Sequence, residues 1–282
     1  MKKFSFKKAA KIGFFGSATA IVVGYAAILG WTASGSDRWE LELDRNGVKV
    51  YSYKESGNYN KIYKGVFRGK YTQNQVVAAL MLENSSLENC KKWIPVCTDL
   101  KVIEPYSHDA QGDSVLWTLE LLPPVFKNRA YSIKTQTSQD PKTGVVAIDV
   151  MAAAQKTPPT DCCVRITQIH NRWQISPAQN GEVEIELIQD FDMGGFFPDF
   201  LINLSNAEET YKLLHDQFPT LVDKDLYRNA RFPYIAEGGV PQEQPAPFET
   251  VAPPPTPAGD ASEPTATPPA AQTAGAAEPA KQ

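Results

Sequence analysis

From residue 100 to residue 191 this chain is almost continuous strand, and nothing else in it constrains the fold so tightly. Segments 100–103, 114–121, 130–137, 145–151, 164–170, 173–176 and 183–191 are rich in β-branched and aromatic residues. Turn-forming stretches at 108–112, 123–128, 140–144, 158–161, Asn171 and Asn180-Gly181 separate them. In the last segment Val183, Ile185 and Leu187 fall on one face and Glu182, Glu184 and Glu186 on the other, the pattern of a half-buried strand. Consecutive strands with short turns pair antiparallel. Three more strands precede them at 39–43, 48–54 and 62–71, the first two joined by Asn46-Gly47, which tolerates the left-handed backbone of a tight hairpin. Thr72 is placed to cap a helix carrying Val76, Val77, Leu80 and Met81 on one face. Residues 84–95, with Trp93, read as irregular, and no internal repeat is present.

Residues 190–218 join the last strand to a long helix. Gly194-Gly195 turns the chain, and Pro198 suits a first helical turn because its missing N–H needs no partner there. Phe197, Phe200, Leu201, Leu204, Tyr211, Leu214 and Phe218 then recur at helical spacing, and Pro219 is expected to end the helix. That apolar face has two readings: it closes an ordinary core, or it roofs a hydrophobic cavity.

The two ends differ from the middle. Lys2, Lys3, Lys7, Lys8 and Lys11 precede an uncharged apolar run from Ile12 to Trp31, followed by the small residues Ala33-Ser34-Gly35. A secretory core spans about 7–15 residues and a membrane helix about 20, so 1–36 reads as a membrane anchor or a cleaved signal. Either way the lysines stay cytoplasmic and the body is exported: periplasmic, inner-membrane anchored or secreted. With no acidic residue before residue 34, the rest is more acidic than the overall formal charge of −4, which gives no electrostatic reason to bind nucleic acid. Residues 37–226 have globular composition and fit one domain. Residues 227–282 read as a tail. From 236 on it holds half of the 22 prolines and almost no large apolar residue after Phe248. Such a segment is expected to be disordered, a spacer or a Pro-rich ligand for a protein partner. Four cysteines in an exported chain are disulfide candidates. Cys90 and Cys97 can close a small loop, whereas a bond between the neighbours Cys162 and Cys163 is not expected. No CxxC pair or suitably spaced His suggests a metal site.

The layout is α+β: a long curved antiparallel sheet gripping a C-terminal helix. Several stretches resemble START domains, the lipid-transfer family related to the steroidogenic acute regulatory protein. Trp39 with Gly47-Val48-Lys49-Val50-Tyr51 resembles the family's opening, and Trp93-Ile94-Pro95 its Trp after the first helix. The run 123–129, Pro-Pro-Val-Phe-Lys-Asn-Arg, resembles the loop leading to its Arg. Val164-Arg165, Trp173 to Pro177, Asp190 to Pro198 and Leu201-Ile202-Asn203 follow in the family's order. The resemblance covers about residues 37–222 and implies a helix-grip fold with a tunnel for one lipid or sterol, gated by 122–128 and the helix from Phe197. It also has departures. Ala130 stands where the family usually has Asp. Leu116 or Trp117, and Thr135, stand where sterol-binding members carry an acid–Arg pair. Ligand identity therefore does not transfer.

The inward alternates Leu119, Tyr131, Ile133, Ile148, Val150, Ile166, Ile185 and Leu187 are candidate walls, with Trp117, Phe126, Phe197, Leu201 and Leu204 near the mouth. Arg129 and Arg165 are candidates for a head group, with a strand carboxylate the competing partner for Arg165. His108, His170 and His215 have no nucleophile motif around them, and neither GxSxG nor HExxH occurs. The sequence thus points to a cofactor-free, non-enzymatic binder of a lipid, sterol or other hydrophobic molecule, for transfer or sensing at the cell envelope. The alternatives are a tethered scaffold that recruits a partner through its tail, and a cyclase- or hydrolase-like enzyme using Glu120 or Tyr131 in the same cavity.

Overall fold

The computed structural model describes residues 22–82, 86–121, 123, 125–198 and 200–237. The chain divides into two units, Met1–Phe248 and Glu249–Gln282, and the second lies outside the described residues, as does the rest of the Pro-rich tail. Helix α1 (22–33) leads into β1 (Trp39–Arg45), β2 (Val48–Tyr53) and β3 (Ile62–Gly69). Helices α2 (Gln73–Met81) and α3 (Leu87–Trp93) follow. The remaining strands are β4 (Cys97–Ser107), β5 (Gly112–Leu119), β6 (Asn128–Gln139), β7 (Val146–Ala152), β8 (Cys163–Arg165), β9 (His170–Pro177) and β10 (Val183–Gln189). They form one ten-stranded sheet in the order β1-β2-β3-β10-β9-β7-β6-β5-β4, antiparallel except where β8 pairs parallel with β6. The segment expected as one strand over 164–170 is therefore two pieces: three residues beside β6, and the start of β9. Residues 84–95, expected to be irregular, contain α3, whose Ser86 side chain accepts the Asn89 N–H. Thr72 caps α2 by accepting the Gln75 N–H at 3.0 Å.

The C-terminal helix runs as α4 (Phe200–Lys212), a π-helical turn over Leu213–Gln217, and α5 (Phe218–Val222). It continues past Pro219. A proline interrupts an α-helix because it lacks the N–H that would bond four residues back. Here Phe218 N–H reaches the Leu213 carbonyl across the wider turn, and Pro219 occupies the opening of α5, where no N–H is needed. Phe218 is fully buried, with its ring 5.2 Å from Phe67, 5.9 Å from Tyr71, 6.0 Å from Trp93 and 5.8 Å from Trp173. One turn earlier, a Cβ on Gly65 would stand 2.3 Å from Leu214 Cδ1 and 2.8 Å from Thr210 Cγ2, so the glycine lets the helix lie directly on β3. The helix is thus pinned through Thr210, Tyr211, Leu214 and Phe218. Its opening half is held by polar contacts instead, through Asn203 to Tyr63 and Lys61 and through Glu208 to Arg45, while Leu201 is 39% and Leu204 76% exposed, which corrects the expectation of one continuous buried face from Phe197 to Phe218.

The chain ends also depart from expectation. Tyr227, Phe232 and Ile235 are buried in the core, and Glu237 accepts the Asn74 N–H at 2.7 Å at the start of α2, so the packed body extends to 237 rather than 226. In α1, Val22, Val23, Tyr25, Ile28 and Leu29 are exposed. Its C-terminal end is fixed to the β2–β3 connection. Trp31 Nε1 donates to the Tyr59 carbonyl (2.8 Å), Gly57 N–H to Thr32 (2.8 Å), Ser56 Oγ to Ala33 (2.9 Å) and Lys54 Nζ to Ser34 (2.8 Å). Among the described residues no helix is long and apolar enough to cross a membrane; the expected span begins at Ile12, outside them. Cys90 and Cys97 are disulfide-bonded. So, contrary to expectation, are the neighbours Cys162 and Cys163.

Phe218→Ala would remove the ring that joins four aromatic neighbours and should cost about 3–5 kcal/mol in urea unfolding. A second prediction concerns Glu42, whose carboxylate accepts from Ser52 Oγ (2.6 Å) and Lys61 Nζ (2.8 Å). Those bonds, the Lys61 bond first, hold its pKa below the usual carboxylate range. A depressed folded pKa contributes stability above the unfolded value, and that contribution is lost as pH falls through the folded one. Glu42→Gln should therefore destabilise by about 1 kcal/mol near neutral pH, with the difference shrinking once the pH falls below about 4 and gone below the depressed folded pKa.

Candidate functional site

The apolar interior is split. One cluster joins β2, β3, β7, β9 and β10 to α2 and the pinned half of the C-terminal helix, around Ile148, Trp173, Ile185, Leu187 and Phe218. A second joins β5, β6 and the loop before α4, around Val115, Tyr131, Ile133, Ile166 and Met193. A cavity of about 190 Å³ separates them, with walls taken from both.

The strand register explains its floor. Thr137, Ile148, Trp173 and Leu187 stand opposite one another across β6, β7, β9 and β10, and the last three line the cavity. Two residues along, Thr135 faces Val150 and Val150 faces Asn171; Gln189 continues this row one residue beyond the Ile188–Arg172 pair. These four also line the cavity. Side chains two apart share a face, so an apolar row and a largely polar row lie side by side beneath the same space. Leu80, Met81 and Trp93 from α2 and α3, and Leu213 from the π-helical turn, close it from the other side.

Of the residues proposed from sequence, the cavity brings together Trp117, Ile148, Val150 and Leu187. Leu119, Tyr131, Ile133, Ile166 and Phe197 pack in the second cluster and Ile185 in the first; none of these lines the cavity. Tyr131 is buried, with its hydroxyl 3.0 Å from Met193 Sδ and its pKa raised by desolvation. Leu201 and Leu204 face outward with Phe200, Phe196 and Val125. Asn171 and Gln189 were missed. Asn171 was read as a turn, and Gln189 sits on a strand judged only by its Val-Ile-Leu face. Cross-strand register, which no single strand reveals, is what brings them together.

Neither arginine is positioned for a head group. Arg129 is completely buried; it donates to the carbonyls of Met193 (2.6 Å), Gly194 (2.9 Å) and Lys127. It therefore ties the loop ending at Lys127 to the turn at Gly194-Gly195, both of which hold φ of +60°. The Phe126 ring packs 5.1 Å from Phe197 across the same junction. Arg165 bonds the carbonyls of Ala154 (2.8 Å) and Thr157 (2.5 Å), not a strand carboxylate. Trp117 and Thr135 occupy the positions where the resemblance would place an acid or its Arg, and both line the cavity. The Thr135 hydroxyl bonds Asp113 on β5. Among the described residues no lining residue is ionisable, since Cys90 is disulfide-bonded, and no group of His, Cys, Asp or Glu is arranged to hold a metal.

A curved antiparallel sheet around a long C-terminal helix, with a cavity between them, is the START-type helix-grip fold. Solved structures bear this out. A STAR-related lipid transfer protein fragment from Xanthomonas axonopodis matches with TM-score 0.56 and 21% identity, over 65% of this chain and 98% of that one. Human STARD10 matches with TM-score 0.54 and 17% identity, over 67% and 75%. Human StAR-related lipid transfer protein 5 matches with TM-score 0.54 and 13% identity, over 73% and 95%. At these identities the likeness is one of fold. No family model matches the sequence, and no curated protein does.

Arg129→Met would leave up to three carbonyls without their donor. It should lower stability by roughly 3 kcal/mol or more, and Arg129→Lys should recover little because an ammonium cannot span both segments. Limited proteolysis should show faster cutting at 121–128 and 190–198 in both variants.

Proposed function

We propose that this protein binds one lipid or other hydrophobic small molecule in the space between the sheet and the C-terminal helix. It carries or senses that molecule rather than transforming it. The observation behind this is the 190 Å³ gap between two apolar clusters, in a fold shared with lipid-transfer proteins. A packed interior seldom leaves voids larger than a water molecule. Each CH₂ moved from water into such a space contributes about 0.8 kcal/mol, before ordering costs. Among the described residues the side chains around the gap include no proton donor or acceptor suited to acid–base catalysis at neutral pH, which favours binding over chemistry.

The same proposal places the protein at the cell envelope. Its support is the run of lysines before an apolar segment, and the exposed apolar side chains of α1, whose end is hydrogen-bonded to the body. Asn203 of α4 donates to the same Tyr59 carbonyl that receives Trp31, so the tether and the exposed opening turn of α4 meet at one point. The entry route follows from that junction: Leu201, Leu204 and Phe196 would present to the lipid surface.

Native mass spectrometry of the purified protein should show an apolar molecule bound in a one-to-one ratio and recovered chemically unchanged. Val150→Trp, which adds a ring to the cavity floor, should abolish that adduct while the melting temperature holds or rises. Retention of the adduct by this variant would contradict the assignment of the site.

A further inference from the structure

The polar row in the cavity floor has a directional chemistry of its own. Asn171 Oδ1 accepts the Asp190 N–H at 3.1 Å, which fixes the amide and leaves its NH₂ as the free end. Gln189 Oε1 and the Asn206 carbonyl share the Thr210 hydroxyl at 2.7 Å each. Thr135 donates to the Asp113 carboxylate and accepts the Asp113 N–H at 3.2 Å, so its one proton is committed. Trp117, also in the wall, has a buried indole N–H with no acceptor. The oxygens of this row are thus engaged within the protein, while the Trp117 N–H stands unmatched and the Asn171 NH₂ is unengaged beside it. An unmatched buried donor such as that of Trp117 costs about 1–3 kcal/mol, so an occupant is selected for the acceptor it brings.

Resting on the cavity-binding reading above, we infer that the cavity selects a short apolar molecule whose polar end is an uncharged oxygen acceptor: an ester, ketone or alcohol. The acceptor lies over Asn171, and the alkyl part lies over Ile148, Trp173 and Leu187. Two observations disfavour a carboxylate or phosphate there. Among the described residues no cation lines the space, and an ionised group taken out of water without a partner is far more costly than a neutral one. The ionisable group directly behind the row, Asp113, is itself an acid. Size limits the occupant as well. A dry apolar cavity of about 150 Å³ holds a benzene ring, so 190 Å³ has room for one short chain or ring system.

Calorimetric titration of the full chain near pH 7.5 with methyl octanoate, nonane and octanoate tests this. Methyl octanoate should bind at least about tenfold more tightly than octanoate and several-fold more tightly than nonane. Asn171→Leu should remove the advantage over nonane while keeping nonane binding. Trp117→Phe, which keeps a ring in place, provides a second variant should Asn171→Leu unfold, and it should reduce the ester advantage in part. Octanoate binding as tightly as the ester, or nonane matching it in the unmodified protein, would overturn the inference and leave the cavity-binding reading standing. If none of the three binds, both fall.

Discussion

The architecture depends on where the C-terminal helix is held down. Phe218 sits among four aromatic rings at one end, and Gly65 lets Thr210 and Leu214 settle on β3. Toward the start of α4 polar contacts take over: Tyr63 donates to the Asn203 carbonyl at 2.7 Å, Lys61 N–H to Asn203 Oδ1 at 2.9 Å, and Arg45 pairs with Glu208. The sheet meanwhile curves away through β7, β6 and β5 to serve a second apolar cluster. The cavity lies beside that pinned stretch: the helix lends it Leu213, and β5, β6, β7, β9 and β10 with α2 and α3 supply most of the rest of its described lining.

Pro219 belongs to the same arrangement. Left in a regular α-helix it would leave the His215 carbonyl, four residues back, without its donor. The π-helical turn over Leu213–Gln217 absorbs it, keeps Phe218 in its aromatic nest and brings Leu213 to the cavity. Arg129 does for the loops what Phe218 does for the helix. Its guanidinium joins the end of the 121–127 loop to the Gly194 turn through backbone carbonyls, so the two segments beside α4 behave as one unit. A buried arginine near a cavity suggests ligand binding at first sight. Its hydrogen bonds say instead that it holds the protein to itself.

Much of this fold was legible in the sequence because period-two patterning is a local signal. Val183, Ile185 and Leu187 against their glutamates, Asn46-Gly47, the Thr72 cap and the Gly194-Gly195 turn each speak for their own neighbourhood. What escaped was non-local. Four of the proposed cavity residues, Trp117, Ile148, Val150 and Leu187, line the space, while equally plausible inward alternates such as Ile133 and Ile185 fill solid core. Their strands alternate identically; only the register across β6, β7, β9 and β10 separates wall from core. The burial of Tyr227, Phe232 and Ile235 escaped for a related reason. Composition marks where a tail begins only loosely, and scattered aromatics before it find a place on the body that no short-range pattern announces.

The central claim is physical: a space with an apolar floor of Ile148, Trp173 and Leu187 exists between the sheet and the helices that cover it. Xenon enters such spaces and avoids filled ones. Anomalous diffraction from xenon-pressurised crystals should show a bound atom among Ile148, Val150, Trp173 and Leu187, with those side chains unmoved. Side-chain density filling that region, with no xenon in it at any pressure the crystals tolerate, would contradict the account.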